Sequence, residues 1–252
     1  LLAKAGVAEP RLNAEVLLAF AMKCERVYFF AHPEQALREV EWIHYGRYLD
    51  ERMRGKPTQY ITHKQEFYGR HFRVTRDVLI PRPETELLVE AVLQRRPAGL
   101  GRVVDVGTGS GAIAFTLGAT GCDLSFEALQ VARSNGVRGL VCCDLLSCFA
   151  DGSLDVVVSN PPYIPIGDCG GLQREVRDFE PHLALFGGAD GLEVYRRLIP
   201  EARRVLRPGG LLAVEMGIGQ DSALRDMVAG WERVEVLADL AGISRVLVCL
   251  AP

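Results

Sequence analysis

Asn160-Pro161-Pro162-Tyr163 follows the β-branched run Val156-Val157-Val158 and Ser159. A buried strand therefore ends in a loop that two prolines make rigid. Pro161 also pushes Asn160 toward extended backbone, which fixes the direction of its carboxamide. A carboxamide offers one acceptor and two donors, so Asn160 suits a planar nitrogen group, and Tyr163 could cover that group's face. The plainer alternative is a turn whose Asn satisfies local backbone and whose Tyr packs on the core.

A second set of candidates lies upstream. Val103-Val104-Asp105-Val106 reads as a strand, and Gly107-Thr108-Gly109-Ser110-Gly111 turns from it into a helix over Ala112 to Leu117. Glycines there let a ligand approach the backbone at a helix N-terminus. Asp105 is expected to hold the amides of the glycine turn. Asp123 could take a pair of ribose hydroxyls, and Asp144, just past the strand Val137 to Cys142, could accept from an adenine amino group. Gly107, Gly109 and Ala112 also fit the dinucleotide pattern. Asp144 and Asn160 at the ends of successive strands favour S-adenosylmethionine over a nicotinamide, with Asn160 where a transferred methyl would point. The charged, proline-stiffened stretch Leu79 to Val89 could wall one side of such a pocket, with Arg82 and Glu84 as its candidate contacts.

The elements that must hold these residues can be read from periodicity. Leu12, Val16, Leu17 and Phe20 mark one amphipathic helix, and a second is expected from Pro33 to Met53 with its aromatic side in the core. Phe67-Tyr68-Gly69 and His71-Phe72-Arg73-Val74 suggest a hairpin. A helix runs from about Thr85 to Arg95, and from Arg102 short apolar runs alternate with helices as in a parallel α/β sheet. Ser125 to Ser134, Gly191 to Leu206 and Gln220 to Val228 read as helices, and Leu154 to Val158, Leu211 to Glu215, Val234 to Leu237 and Arg245 to Leu250 as strands. The last two strands leave no room for a crossover and should be antiparallel. The expected domains are a helical unit at 1–55, a hairpin linker at 56–80 and a catalytic domain at 81–252. The run from Gly118 to Thr120 is short for a βαβ crossover, so residues are expected to be missing there and near Asn135-Gly136. The long connection at 164–188 reads as a lid or partner-facing loop.

Composition narrows the class. Formal charge is −3 from 29 basic and 32 acidic side chains, which gives no support for generic nucleic-acid binding. Seven cysteines, an odd number without C-x-x-C spacing, point to a reducing compartment and no metal site. No apolar run is long enough to span a membrane. The five histidines lie outside the inferred ligand edge and receive no catalytic role. The expected location is the cytoplasm.

Taken together, Asp105 to Gly111, Asp123-Leu124-Ser125, Asp144 and Asn160 to Tyr163 resemble class I S-adenosylmethionine-dependent methyltransferases that act on amino nitrogens. The helical N-terminus, Phe67-Tyr68-Gly69, Leu79-Ile80-Pro81-Arg82-Pro83-Glu84-Thr85-Glu86 and Asp239-Leu240-Ala241-Gly242 are similar to the protein-glutamine methyltransferases of bacterial peptide chain release factors, the PrmC or HemK family. That resemblance implies a Rossmann-like, seven-stranded mixed sheet with a small helical domain and a hairpin linker. It implies methylation of the side-chain N5 of the glutamine in the Gly-Gly-Gln motif of class 1 release factors, by a monomer with no stable nucleic-acid or membrane partner. Gly107, Thr108, Gly109, Ser110 and Gly111 would cradle the methionine part of S-adenosylmethionine. Asp123 would take the ribose, and Asp144 with Leu145 would frame the adenine. Asn160 would face both cofactor and substrate, and Asn160, Pro161, Pro162 and Tyr163 would hold the glutamine amide, flanked by Arg82 and Glu84. Segments 1–55 and 164–188 would recognise the release factor. The alternative is an adenine-N6 methyltransferase of DNA or RNA, which meets the same delocalised nitrogen but needs a flipped base.

Overall fold

A computed structural model describes residues 1–95 and 101–252. The chain divides into two compact units, Leu1–Lys64 with Leu172–Phe179, and Gln65–Gly171 with Glu180–Pro252. The helical unit thus extends past residue 55 and takes part of the long connection after Tyr163.

In the first unit, α1 (Pro10–Met22), α2 (Tyr28–Ala31), α3 (Glu39–Met53) and α4 (Thr58–Thr62) are joined by α8 (Arg174–Phe179). Pro10 starts α1, where its missing N–H costs nothing. The second long helix starts at Glu39, not at Pro33: the Glu41 carboxylate reaches back to the Arg38 amide at 2.8 Å and fixes the first turn there. Its aromatics divide: Trp42 is 65% exposed, whereas Tyr45 and Tyr48 are half-buried and Tyr48 packs on Phe20. What is buried instead is Arg52, which donates to Asn13 Oδ1 at 2.9 Å and pairs with Glu175 of α8 at 2.5 Å. Thr58 donates to the same Asn13 oxygen.

The second unit opens with the hairpin β1 (Gln65–Phe67) and β2 (Arg70–Phe72), paired antiparallel with Phe67 opposite Arg70. Tyr68 and Gly69 both have positive φ, the two-residue turn that matches strand twist. A 3₁₀ turn at Pro83–Thr85 leads into α5 (Glu86–Arg95). The main sheet then forms from β3 (Val103–Val106), β4 (Thr120–Asp123), β5 (Leu140–Cys142), β6 (Leu154–Ser159), β7 (Leu206–Glu215), β8 (Glu232–Ala238) and β9 (Ser244–Leu250). Its order is β5-β4-β3-β6-β7-β9-β8, parallel from β5 through β7 and antiparallel where β9 meets β7 and β8. Between strands lie α6 (Ala112–Leu117), α7 (Phe126–Ser134), α9 (Glu193–Val205) and α10 (Asp221–Met227).

Every residue of β6 is buried, and its side chains alternate between two cores. Val157 joins Leu212, Tyr195, Leu198 and Leu224 under α9 and α10, whereas Val156 and Val158 join Leu88, Val92 and Ile113 under α5 and α6. Each fully buried aliphatic side chain of this kind contributes roughly 1.5–3 kcal/mol.

Local geometry closes the short connection and shifts one strand start. α6 has six residues, Gly118 caps it in the left-handed region, and Thr120 is already opposite Val104. Asn135 and Gly136 likewise close α7 directly, with the Val137 amide donating to Ala132. The strand expected from Leu211 begins at Leu206, which pairs with Leu154 before an irregularity passes Pro208-Gly209-Gly210 and restores pairing at Leu211.

Candidate active site

Because β3, β4, β5 and β6 are parallel neighbours, their carboxyl ends gather the chemistry-bearing loops along one edge. A cavity of about 260 Å³ lies there, wholly within the second unit. Gly107, Thr108, Gly109 and Ser110 line it from the end of β3, Asp123 from β4, Asp144 and Leu145 from beyond β5, and Asn160 and Pro162 from beyond β6.

The glycine turn is built on positive φ at Gly107, Gly109 and Gly111, but the three glycines serve different ends. A side chain at Gly107 would meet nothing, so the backbone there is open. At Gly111 an added Cβ would come 2.6 Å from Val137, and Gly111 does not line the cavity: it permits packing of the helix start. Asp105 does not hold the glycine amides as expected. The amides of Gly107 and Thr108 donate to the Cys122 carbonyl at 2.9 and 3.0 Å, while Asp105 Oδ2 accepts the Thr108 hydroxyl at 2.6 Å and the Ala114 amide at 3.1 Å. Its Oδ1 has no hydrogen-bond partner among the described residues, and burial pushes the carboxyl up to about 7.

Asp123 holds the turn instead. Its Oδ2 accepts the Gly109 amide at 2.8 Å and its Oδ1 the Ser125 amide at 2.9 Å, with a further contribution from the Leu124 amide. Burial raises this carboxyl and those amides oppose the rise. A carboxylate offers about four acceptor positions, so three amides leave one for a ligand hydroxyl. Asp144 is half exposed and pairs with Arg197 of α9 at 2.6 Å; Arg197 also lines the cavity. Leu145 holds a positive φ of 48° beside them.

At the fourth strand, the Ser159 hydroxyl donates to the Val106 carbonyl at 2.7 Å and fixes the end of β6 against β3. Asn160 Nδ2 donates to the Thr85 hydroxyl at 3.1 Å. Pro161 is buried and lies outside the cavity lining. Tyr163 also lies outside it: the phenol turns to Glu215 Oε1 at 3.4 Å, and burial drives its pKa upward. The loop backbone is gripped from behind. Gln220 donates to the Tyr163 carbonyl at 3.0 Å, and the Gly187 amide donates to Ile164 at 2.9 Å. Arg82 pairs with buried Glu180 at 2.5 Å, and Glu84 is exposed; neither lines the cavity. Arg197, Glu215, Gln220 and Gly191 are site-supporting residues that spacing did not single out, and Thr85 was read only as a helix start within the Leu79–Glu86 stretch.

The strand order, the glycine turn and an acid at the end of the neighbouring strand define a class I S-adenosylmethionine-dependent methyltransferase fold. The family model described as the PrmC N-terminal domain matches residues 1–62, and the methyltransferase small domain matches 83–168. The release factor glutamine methyltransferase of Koribacter versatilis is 44% identical over 98% of this chain and 94% of its own length, and that of Moorella thermoacetica 43% over 97% and 92%. Among solved structures, the E. cuniculi Mtq2–Trm112 complex, responsible for methylation of the eRF1 translation termination factor, aligns at 26% identity. It covers 70% of this chain and 99% of that one, with a TM-score of 0.52. The chain belongs to the release factor glutamine methyltransferase family.

Proposed function

We propose that this chain transfers the methyl group of S-adenosylmethionine to the side-chain N5 of the glutamine in the Gly-Gly-Gln motif of class 1 release factors. The observation that carries the reading is that Asn160 and Pro162 share one cavity with Gly107, Gly109 and Asp123. A cofactor cradle and an amide-reading loop therefore open on the same space.

The residues present fit the cofactor. Open backbone at Gly107 and Gly109 admits a zwitterionic tail, and Asp123 keeps an acceptor position for a ribose hydroxyl. Asp144 and Leu145 line the same cavity, which supports assigning them to the adenine. When bound, S-adenosylmethionine supplies an activated methyl on a sulfonium.

The difficulty lies in the acceptor, because an amide nitrogen's lone pair is delocalised. Asn160 Oδ1 and the Pro161 carbonyl are assigned to accept the two amide N–H bonds, which orients the nitrogen and stabilises the positive charge that grows on it. Pro162 keeps the loop stiff, and Tyr163 anchors it through Glu215. No strong base is needed before transfer, since the nitrogen becomes acidic only afterwards and its proton can pass to water. Recognition of the release factor is assigned to the helical unit and to segment 164–188, with Arg82 and Glu84 at the substrate side. The chain is read as a cytoplasmic monomer; among the described residues no helix is long and apolar enough to cross a membrane.

Incubation with labelled S-adenosylmethionine and a purified release factor, followed by mass mapping, tests the reading. Label on the glutamine is expected. Label on adenine in nucleic acid, or none on a folded, cofactor-binding protein, overturns it.

A further inference from the structure

Behind the Asn160 loop lies a buried carboxyl whose second oxygen the loop does not use. Glu215 ends β7 and is 2% exposed. Its Oε1 takes the Tyr163 phenol at 3.4 Å, whereas Oε2 is enclosed and accepts no hydrogen bond of good geometry among the described residues. The Thr85 hydroxyl sits beside this carboxyl and favours its charged form. Thr85 is itself buried and accepts the Asn160 Nδ2–H at 3.1 Å. Only the Tyr163 and Thr85 hydroxyls offset the cost of enclosing this acid, so packing alone gives no reason for a carboxyl here.

We propose that Thr85 and Glu215 are positioning residues for methyl transfer, fixing which end of the Asn160 carboxamide faces the acceptor nitrogen. This rests on the role given to Asn160 above. An ionised carboxylate only accepts, and a hydroxyl has a single proton. With Glu215 ionised, the Thr85 proton is drawn to the carboxylate, and the Thr85 oxygen has only lone pairs to offer Asn160. Asn160 then presents its NH₂ to Thr85, and Oδ1 is left for the substrate. That is the end that accepts an amide N–H and stabilises positive charge on nitrogen.

A proton on Glu215 reverses the order. The carboxyl donates to Thr85, Thr85 donates to Asn160 Oδ1, and the carboxamide turns its NH₂ toward the substrate amide. Burial pushes Glu215 up to about 7. Around it, Thr85, Arg245 of β9 and Tyr163 of the loop favour the ionised form, and Glu84 of the 3₁₀ turn opposes it. Tyr195 of α9 gives its hydroxyl to the Glu215 main-chain carbonyl at 2.7 Å. The polarity of Asn160 therefore switches close to neutral pH.

The test uses the full chain with a purified release factor and labelled S-adenosylmethionine, measuring kcat and both KM values between about pH 6 and 9. Thr85→Val, Thr85→Ser, Glu215→Gln and Asn160→Ala are compared with the parent, with cofactor binding by calorimetry as the check on folding. Thr85→Val is expected to lose about 10- to 100-fold in kcat with the cofactor KM within about threefold, and Thr85→Ser to recover most of the loss. Glu215→Gln is expected to lose kcat and to flatten the acid limb of the pH profile. The relay is wrong if Thr85→Val turns over within about twofold of the parent, if Thr85→Ser does no better than Thr85→Val, or if Glu215→Gln keeps the acid limb. Should Thr85→Val fail to fold, the serine variant and the pH limb decide. An inactive Asn160→Ala beside a normal Thr85→Val sinks the relay alone, whereas an active Asn160→Ala sinks the role of Asn160 as well.

Discussion

Gly191 packs directly against the carbonyl oxygen of Tyr163, leaving no space for a side chain, and an added Cβ would also come 2.8 Å from Gln220 Nε2. Gln220 uses that same nitrogen to hold the Tyr163 carbonyl. Two supports of the Asn160 loop therefore meet at one glycine. Gly191→Ala also places a side chain at φ 75°, so it is expected to cost about 2 kcal/mol or more in stability. kcat should fall further than cofactor affinity does. Denaturation midpoints and steady-state kinetics on one preparation check both.

Asp123→Asn keeps the shape and removes the charge. The amides of Gly109 and Ser125 sit on opposite oxygens, so one of them would face an NH₂ instead of an acceptor. A loss of about 1–3 kcal/mol in stability is expected, with weaker S-adenosylmethionine binding in calorimetry. Unchanged affinity would detach Asp123 from the cofactor.

Stability should fall as pH rises toward neutrality. Burial lifts Asp105 from 3.8 to about 7 and Glu215 from 4.5 to about 7. Across that window the folded chain holds protons that the unfolded chain has released, so each group takes up to roughly 1.4 kcal/mol per pH unit from the unfolding free energy. The paired acids Asp190 and Asp239, whose arginine partners Arg196 and Arg245 hold them low, act with opposite sign and only at lower pH. Urea titrations at a series of pH values should show the decline, and Asp105→Asn should flatten it. A stability that climbs through this range would contradict the buried-acid account.

Arg52→Ala removes a buried guanidinium and leaves Glu175 without its ion-pair partner, while Asn13 keeps the Thr58 hydroxyl. A loss of about 1–3 kcal/mol is expected within the helical unit, since the Glu175 left behind is partly exposed. If that unit recognises the release factor, KM for the release factor should rise while the affinity for S-adenosylmethionine stays put. A change in cofactor affinity alone would reassign the helices.

Residue order alone settled the short-range features. Val156 to Val158 had to be a buried strand, Pro161 and Pro162 had to stiffen the loop leaving it, and Gly107 to Gly111 had to turn into a helix, because each rests on backbone constraints acting over a few residues. Tertiary structure decided which groups pair across long separations. It gave the glycine amides to Cys122 and Asp123 rather than Asp105, made Gly111 a packing residue, and turned Tyr163 toward Glu215. It also set Thr85 against Asn160, 75 positions apart in the chain. Such partnerships depend on strand order and register, which bring distant strand ends side by side, and no local pattern records them.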